Sequence, residues 1–223
     1  MWNEFNIKTF PAETIVYRNG EYCPDLSTIA DGAIDKKYKT PVHIIYIGDI
    51  AGENNLNINL SADDQPVFLS VNIKNEKPAF LNIFIKNTGK NSEIRGHILM
   101  ENHSDLKYKC TAHHAAANTG ILLKNKLIAK NKSQSSLSAV AIIANDCDGC
   151  ISDIGFAALA ARDAKIEFTP AQRISSIPAA ADHSAAIYSP NFSQIQFLRQ
   201  AGLATAEVDD ALREAFINDF PLF

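Results

Sequence analysis

The chain reads as a mainly β protein that ends in a two-helix hairpin. Short apolar runs recur from Pro41 to about Tyr188. From Val42 to Glu93 the starts lie roughly 11–14 residues apart with Gly, Asn, Asp or Pro between them, the spacing of an all-β sandwich, barrel or solenoid. The run Leu56–Leu60 alternates apolar and polar residues strictly, which is the period of a half-buried strand. After Ser189-Pro190 that period gives way to a helical one.

The elements follow in order. Val16-Tyr-Arg-Asn-Gly-Glu-Tyr-Cys-Pro-Asp-Leu-Ser27 predicts a two-residue hairpin at Asn19-Gly20, because both residues accept positive φ. Pro24 ends the strand that follows, and Asp31-Gly32 with Lys36-Lys37 reads as a solvated connection. Val42–Ile47 is a buried-type run. In Leu56-Asn-Ile-Asn-Leu60 the apolar residues share one face. Val67–Ile73, Phe80–Ile85, Glu93–Met100, Gly120–Ile128, Leu137–Ile143 and Ala164–Phe168 continue the series. Ala157–Ala164 is alanine-rich but marginal in length for an independent helix. Asparagines inside these runs fit hydrogen-bonded ladders between stacked strands, or ordinary loops.

Ser189 is expected to cap the first helix, with Pro190 at its first position. Phe192, Ile195, Phe197 and Leu198 form its apolar stripe, and Gly202 stops it. Thr205 is expected to cap a second helix, where Val208, Ala211, Leu212, Ala215 and Phe216 share a face. A hairpin this small must dock on the β domain or on a partner. Three units are expected: an N-terminal segment 1–40, a β core 41–188 and a helical subdomain 189–223.

Composition narrows the classes. Of the 223 residues, 46% are hydrophobic and 21% charged, ordinary for a globular domain. A net charge of −4 gives no overall pull toward nucleic acid or anionic membrane, although a local basic patch stays open. No run approaches the ~20 apolar residues of a membrane span. Met1–Lys8 has no basic stretch followed by an apolar one, so no secretory signal is expected. Four cysteines in such a chain suggest no disulfide framework, and the cytoplasm is the expected compartment. A Walker phosphate loop, a G-x-G-x-x-G and a G-x-S-x-G elbow are all missing, so an enzyme is not expected.

The last third carries a resemblance. Thr169-Pro-Ala-Gln-Arg-Ile174 is followed by Asp182-His183-Ser-Ala-Ala186, with the histidine thirteen residues after Pro170. Then comes Phe192-Ser-Gln-Ile-Gln-Phe-Leu-Arg-Gln-Ala-Gly-Leu203. A strand, a lone histidine and a helix ending in Arg-x-x-Gly-Leu resemble the C-terminal half of the SufB/SufD family, scaffolds of iron–sulfur cluster assembly. The match is closest over Thr169–Phe216 and looser from Pro41 to Asp219. It turns the β core toward a right-handed parallel β-helix.

The resemblance implies a non-catalytic, SufD-like subunit, short because it lacks the family's large N-terminal helical region. It would pair with a SufB-like scaffold through edge strands near the end of the helix. Its hairpin, through Phe192, Ile195, Leu198, Arg199, Leu212 and Phe216, would dock a SufC-like ATPase. A homodimer of the lone chain is also allowed. The isolated chain would hold no cofactor; the assembled complex would handle the cluster. His183 is then the cluster-site candidate, since neutral imidazole ligates iron. Without the family it reads as a histidine holding a strand-end hydrogen bond. Gly155 stands where SufB members carry a cysteine, which makes the chain SufD-like. Ala181 stands where many SufD members carry a cysteine, which weakens a direct ligand role for His183.

A second constellation points elsewhere. Cys110-Thr-Ala-His113 and Cys147-Asp-Gly-Cys150 could supply four ligands for zinc or an iron–sulfur cluster in a metal-binding redox or regulatory protein. Against this, residues three apart on a strand face opposite sides. Buried, unliganded cysteines are the plainer reading, and a thioredoxin-like role for Cys147 and Cys150 lacks a βαβ setting. His113-His114 with Asn118–Lys124 loosely resembles another family segment; a turn between coils, with Asn118 accommodating its geometry, is the better reading than a ligand role. Lys124, Lys126, Lys130 and Lys132 form a basic strip that reads best as a solvated strand edge. The hairpin superficially resembles a helix-turn-helix, but Glu207, Asp209, Asp210 and Glu214 against Arg213 oppose phosphate contact, so no nucleic-acid partner is expected.

Overall fold

The computed structural model describes residues 13–28, 36–37, 39–130, 132–161 and 163–218. The expectations for Met1–Lys8 and for Asp31-Gly32 lie outside them. The chain is a parallel β-solenoid of about 6 turns followed by two helices. It opens with β1 (Glu13–Arg18) and β2 (Glu21–Tyr22), joined antiparallel around Asn19-Gly20 as the hairpin signal predicts. Lys36–Lys37, expected in a connection, instead form β3 and pair with Leu60 and Ser61.

The coils are built from strand pairs. These are β4 (Val42–Asp49) and β5 (Gly52–Ser61), β6 (Pro66–Asn75) and β7 (Ala79–Asn87), and β8 (Glu93–Asn102) and β9 (Asp105–His114). There follow β10 (Gly120–Ala129) and β11 (Gln134–Ile143), β12 (Cys150–Ala160) and β13 (Lys165–Ile174), and last β14 (Ala179–Tyr188). Each strand from β4 onward pairs in parallel with the strand two further along, so even and odd strands make two facing sheets. That register rules out the sandwich and barrel alternatives. The alanine-rich Ala157–Ala160 is strand, because its alternate residues continue the inward and outward columns of β10.

Parallel stacking in register sorts side chains into columns. Ile44, Leu69, Gly96, Leu123 and Ile154 form one inward column; Ile58, Ile85, Ala112 and Ala141 form another across the core. Nearly all are fully buried. Gly96 leaves room in its column for Leu123, since a Cβ there would lie 2.5 Å from Leu123 Cδ2 and would force that leucine to shift. Tyr108 is also inside, its hydroxyl donating to Asn125 Oδ1 at 2.8 Å, while Asn125 Nδ2 donates to Gly155 O at 3.0 Å.

The corners are held by amide ladders, as the asparagine content suggests. Asp64, Asn91 and Asn118 sit 27 residues apart with φ of 55–57°. Asn91 Nδ2 donates to Asp64 Oδ1 at 2.9 Å, and Asn118 Nδ2 to Asn91 Oδ1 at 3.1 Å. Asx side chains suit this left-handed conformation and bond locally. A buried ladder lines another corner: Asn75 Nδ2 donates to Asn102 Oδ1 at 2.8 Å, and Asn102 Nδ2 to Ser135 Oγ and Gln134 O.

After β14 come α1 (Phe192–Gln200) and α2 (Thr205–Ile217). The caps fall two residues after and one residue before the expected places. Asn191, not Ser189, caps α1, because it exchanges bonds with Gln194 in a capping box. The α2 cap position is Ala204, whose N–H is taken by the Glu207 carboxylate; Thr205 is already helical. Gly202, at φ +96°, ends α1 as expected. α2 lies on the outer face of the even-stranded sheet, where Phe216 and Ile217 pack on Leu99, Ile128 and Leu159. Among the described residues, neither helix is long and apolar enough to cross a membrane.

Replacing Asn102 with Ala will lower the free energy of unfolding in urea by about 2–4 kcal/mol, because it strands buried partners in three directions. Asn118→Gly, at an exposed corner glycine also accepts, will change it by less than ~1 kcal/mol.

Candidate functional site

The solenoid is finished differently at its two ends. At the start, β2 covers one side of β1. At the other end, among the described residues, β13 and β14 are the last strands of their sheets, and each keeps one unpaired edge. The inward residues of this last coil have no further coil to pack on. Ile166, Phe168 and Pro170 are half-buried, and Ile174 and Ile187 are exposed. In the middle columns the last coil turns polar. His183 continues Ile154's column and Gln172 continues Ala141's. Both therefore point as core residues do, yet His183 is exposed. Their polar ends meet: Gln172 Nε2 donates to His183 Nδ1 at 3.0 Å. In that arrangement the His183 proton is on Nε2. Chemically, this is a hydrophobic mouth with a histidine and an amide at its centre, flanked by two free strand edges.

Gly155 pairs beside Ser184, facing outward next to this column, and Ala181 faces inward one step from His183. Nothing in the sequence identifies Gln172 as His183's partner; the register of β13 against β14 brings them together.

The hairpin flanks the same end. α2 is anchored: Arg213 Nε donates to Glu101 Oε1 at 2.7 Å, and its Nη2 donates to the same oxygen. Lys126 Nζ donates to Phe216 O and lies 4.8 Å from the Phe216 ring centre. Of the lysine strip, Lys124 and Lys126 are therefore not on an edge, and Lys130 and Lys132 lie beyond the end of β10. β10 sits inside the eight-stranded sheet, and Lys126 is buried against the C-terminal end of α2, where a cation is favourable. α1 is held less firmly. None of its residues is buried, and Phe192 and Phe197 are 74% and 70% exposed. Of the predicted docking residues, Phe192 and Arg199 are exposed, Ile195, Leu198 and Leu212 half-buried, and Phe216 is committed to the solenoid wall. A cavity of about 630 Å³ lies under α1, lined by Ile128, Leu159, Phe192, Ile195 and Leu212.

The four residues of the second constellation are not gathered. Cys110 points into the core, where burial pushes its thiol up to about 12. His113, three residues on, faces outward beside Phe84. Cys147 and Cys150 lie at the corner between β11 and β12, and the histidine near them is His114, not His113. Cys147 Sγ donates to His114 O at 3.5 Å, Cys150 Sγ to Ala116 O at 3.2 Å, and Thr119 Oγ1 bonds His114 Nδ1 at 2.8 Å. Among the described residues, no three His, Cys, Asp or Glu side chains are arranged to hold a metal ion.

No protein-family model and no curated protein matches the chain.

Burial holds three histidines, His43, His97 and His114, at about 4, with His97, Lys124 and His113 respectively as the second cause. The unfolded chain titrates these rings near the ordinary 6.5 and so binds more protons than the native chain between the two values. Their contribution is fully present above about 6.5 and is lost as the pH falls toward 4. The urea midpoint will thus drop from pH 7.5 to pH 5. A midpoint that holds or rises over that window would contradict the burial of these rings. In a separate test, Arg213→Ala will leave Glu101 unpaired and speed proteolysis of the α2 region without unfolding the solenoid.

Proposed function

We propose that this chain is a SufD-like, non-catalytic subunit of an iron–sulfur cluster assembly complex. Its open solenoid end would pair with a SufB-like scaffold, and its hairpin would dock a SufC-like ATPase. The observation that carries the reading is the unfinished last coil, whose two free edges and exposed apolar mouth surround His183. Such an end gains main-chain hydrogen bonds and apolar burial from a second solenoid set against it. The histidine then falls inside the interface, where a neutral imidazole can meet iron or order a neighbouring ligand. The exposed aromatics of α1 support the second docking surface. The chain's cellular place in this reading is the cytoplasm, with neither nucleic acid nor membrane as partner.

The alternative, a metal-binding redox protein using Cys110, His113, Cys147 and Cys150, is not favoured by their separation. Stoichiometric zinc or iron in the anaerobically purified chain would restore it.

Two measurements test the proposal. Co-expression with SufB-like and SufC-like partners will give a stable complex, and Ile187→Lys, which puts a charge into the mouth, will abolish it while leaving the circular dichroism spectrum unchanged. His183→Ala will keep the complex but lower the cluster yield on reconstitution at least several-fold. An unchanged yield removes His183 from the function; a complex unaffected by Ile187→Lys removes the open end.

A further inference from the structure

We propose that Cys147 and Cys150 form a reversible dithiol–disulfide pair in the corner one coil beneath the open end. The geometry points to it. Asp148-Gly149 is a tight turn with Gly149 at φ +71°, so the two cysteines are its first and fourth residues. In such a turn the flanking Cα atoms lie within about 7 Å, the range a disulfide needs. Both side chains face the same side. They sit in one small cluster with Ile143, and their thiols donate to carbonyls two residues apart on one segment, His114 O and Ala116 O.

Oxidation would remove those two S–H donors, and the corner tolerates the loss. His114 O keeps the bond from Ala144 N, and Ala116 O keeps the one from Thr119 Oγ1. Access comes from the last coil. The cluster is closed by Ala179 and Ala181 of β14, which are themselves half-buried, so the thiols are shielded by a layer of methyl groups on an edge strand. The other two cysteines are placed differently: Cys23 is half-exposed near the start of the chain, and Cys110 is buried inside the core.

The partner is a small disulfide such as glutathione disulfide. One cysteine thiolate attacks its S–S bond and expels a glutathione thiolate, giving a mixed disulfide. The second cysteine displaces the remaining glutathione and closes the protein S–S bond. The chain loses two electrons and two protons, and the oxidant leaves as two glutathione thiols. Burial raises the Cys147 thiol, with Cys150 as the next cause, so exchange is slow at neutral pH and quickens as the pH rises.

The test uses the isolated full chain and therefore does not depend on the partner reading. Native protein is incubated with glutathione disulfide, quenched in acid, unfolded, alkylated and mapped by mass spectrometry. The expected result is loss of alkylation at Cys147 and Cys150 together, lighter by two hydrogens and reversed by dithiothreitol, with Cys110 still fully alkylated. The rate should increase several-fold from pH 7 to pH 8.5. Cys150→Ser should trap a glutathione adduct on Cys147. The proposal is overturned if both cysteines stay alkylatable in the native chain, or if they pair only in urea. A Cys150→Ser chain that folds but traps no adduct also overturns it.

Discussion

Register between parallel coils is the constraint on which the rest depends. Each strand hydrogen-bonds to the strand a full coil away, so every side chain stands on its counterpart in the previous coil. A residue is inward or outward according to the column it joins, not its local neighbours. Columns of Ile, Leu and Val fill the space between the sheets, and a glycine appears where leucines above and below meet. The same stacking converts single asparagines into ladders, because each amide finds the next at hydrogen-bond distance. Stability in such a structure is a sum of nearest-neighbour terms, and a break in one column is felt by the coils on either side.

The constraint also creates the site. A solenoid has two ends, and an end that nothing covers leaves backbone edges and inward residues without partners. Here the last coil keeps the shape of a core layer but changes its chemistry. His183 and Gln172 occupy positions that hold isoleucine, leucine, alanine or, at Gly96, glycine in the other coils. A buried histidine and amide would be costly there unless bonded, and at the open end they bond to one another. The combination of apolar rim, polar centre and free edges is what makes docking of a second solenoid the favoured reading. The hairpin adds an asymmetric element: α2 is fastened by Glu101 and Lys126, whereas α1 presents its aromatics outward.

The mainly β class with a helical end was legible in the sequence because alternation of period two, spaced turn residues and a late change to helical period are local signals; the choice of a parallel β-helix came from the family resemblance. The hairpin at Asn19-Gly20 and the stop at Gly202 were readable for the same reason. Cap positions were missed by one or two residues, since Asn191 competes with Ser189 for the same role and only the capping box with Gln194 decides between them. The lysine strip was misread because an exposed edge and a central strand with a docked helix carry the same alternation.

The sequence by itself determined that the chain is mainly β with a helical end, which residues on each strand share a face, and where tight turns must fall; these depend on φ/ψ preference and on the spacing of neighbours along the chain. That the sheets are parallel coils was anticipated by the family resemblance and by no local pattern; only the tertiary structure decided that His183 faces Gln172, that Cys147 and Cys150 adjoin His114 and not Cys110, and that Glu101 anchors a helix more than a hundred residues away. Those facts belong to contacts between coils, and no local pattern encodes which distant residue will be stacked on which.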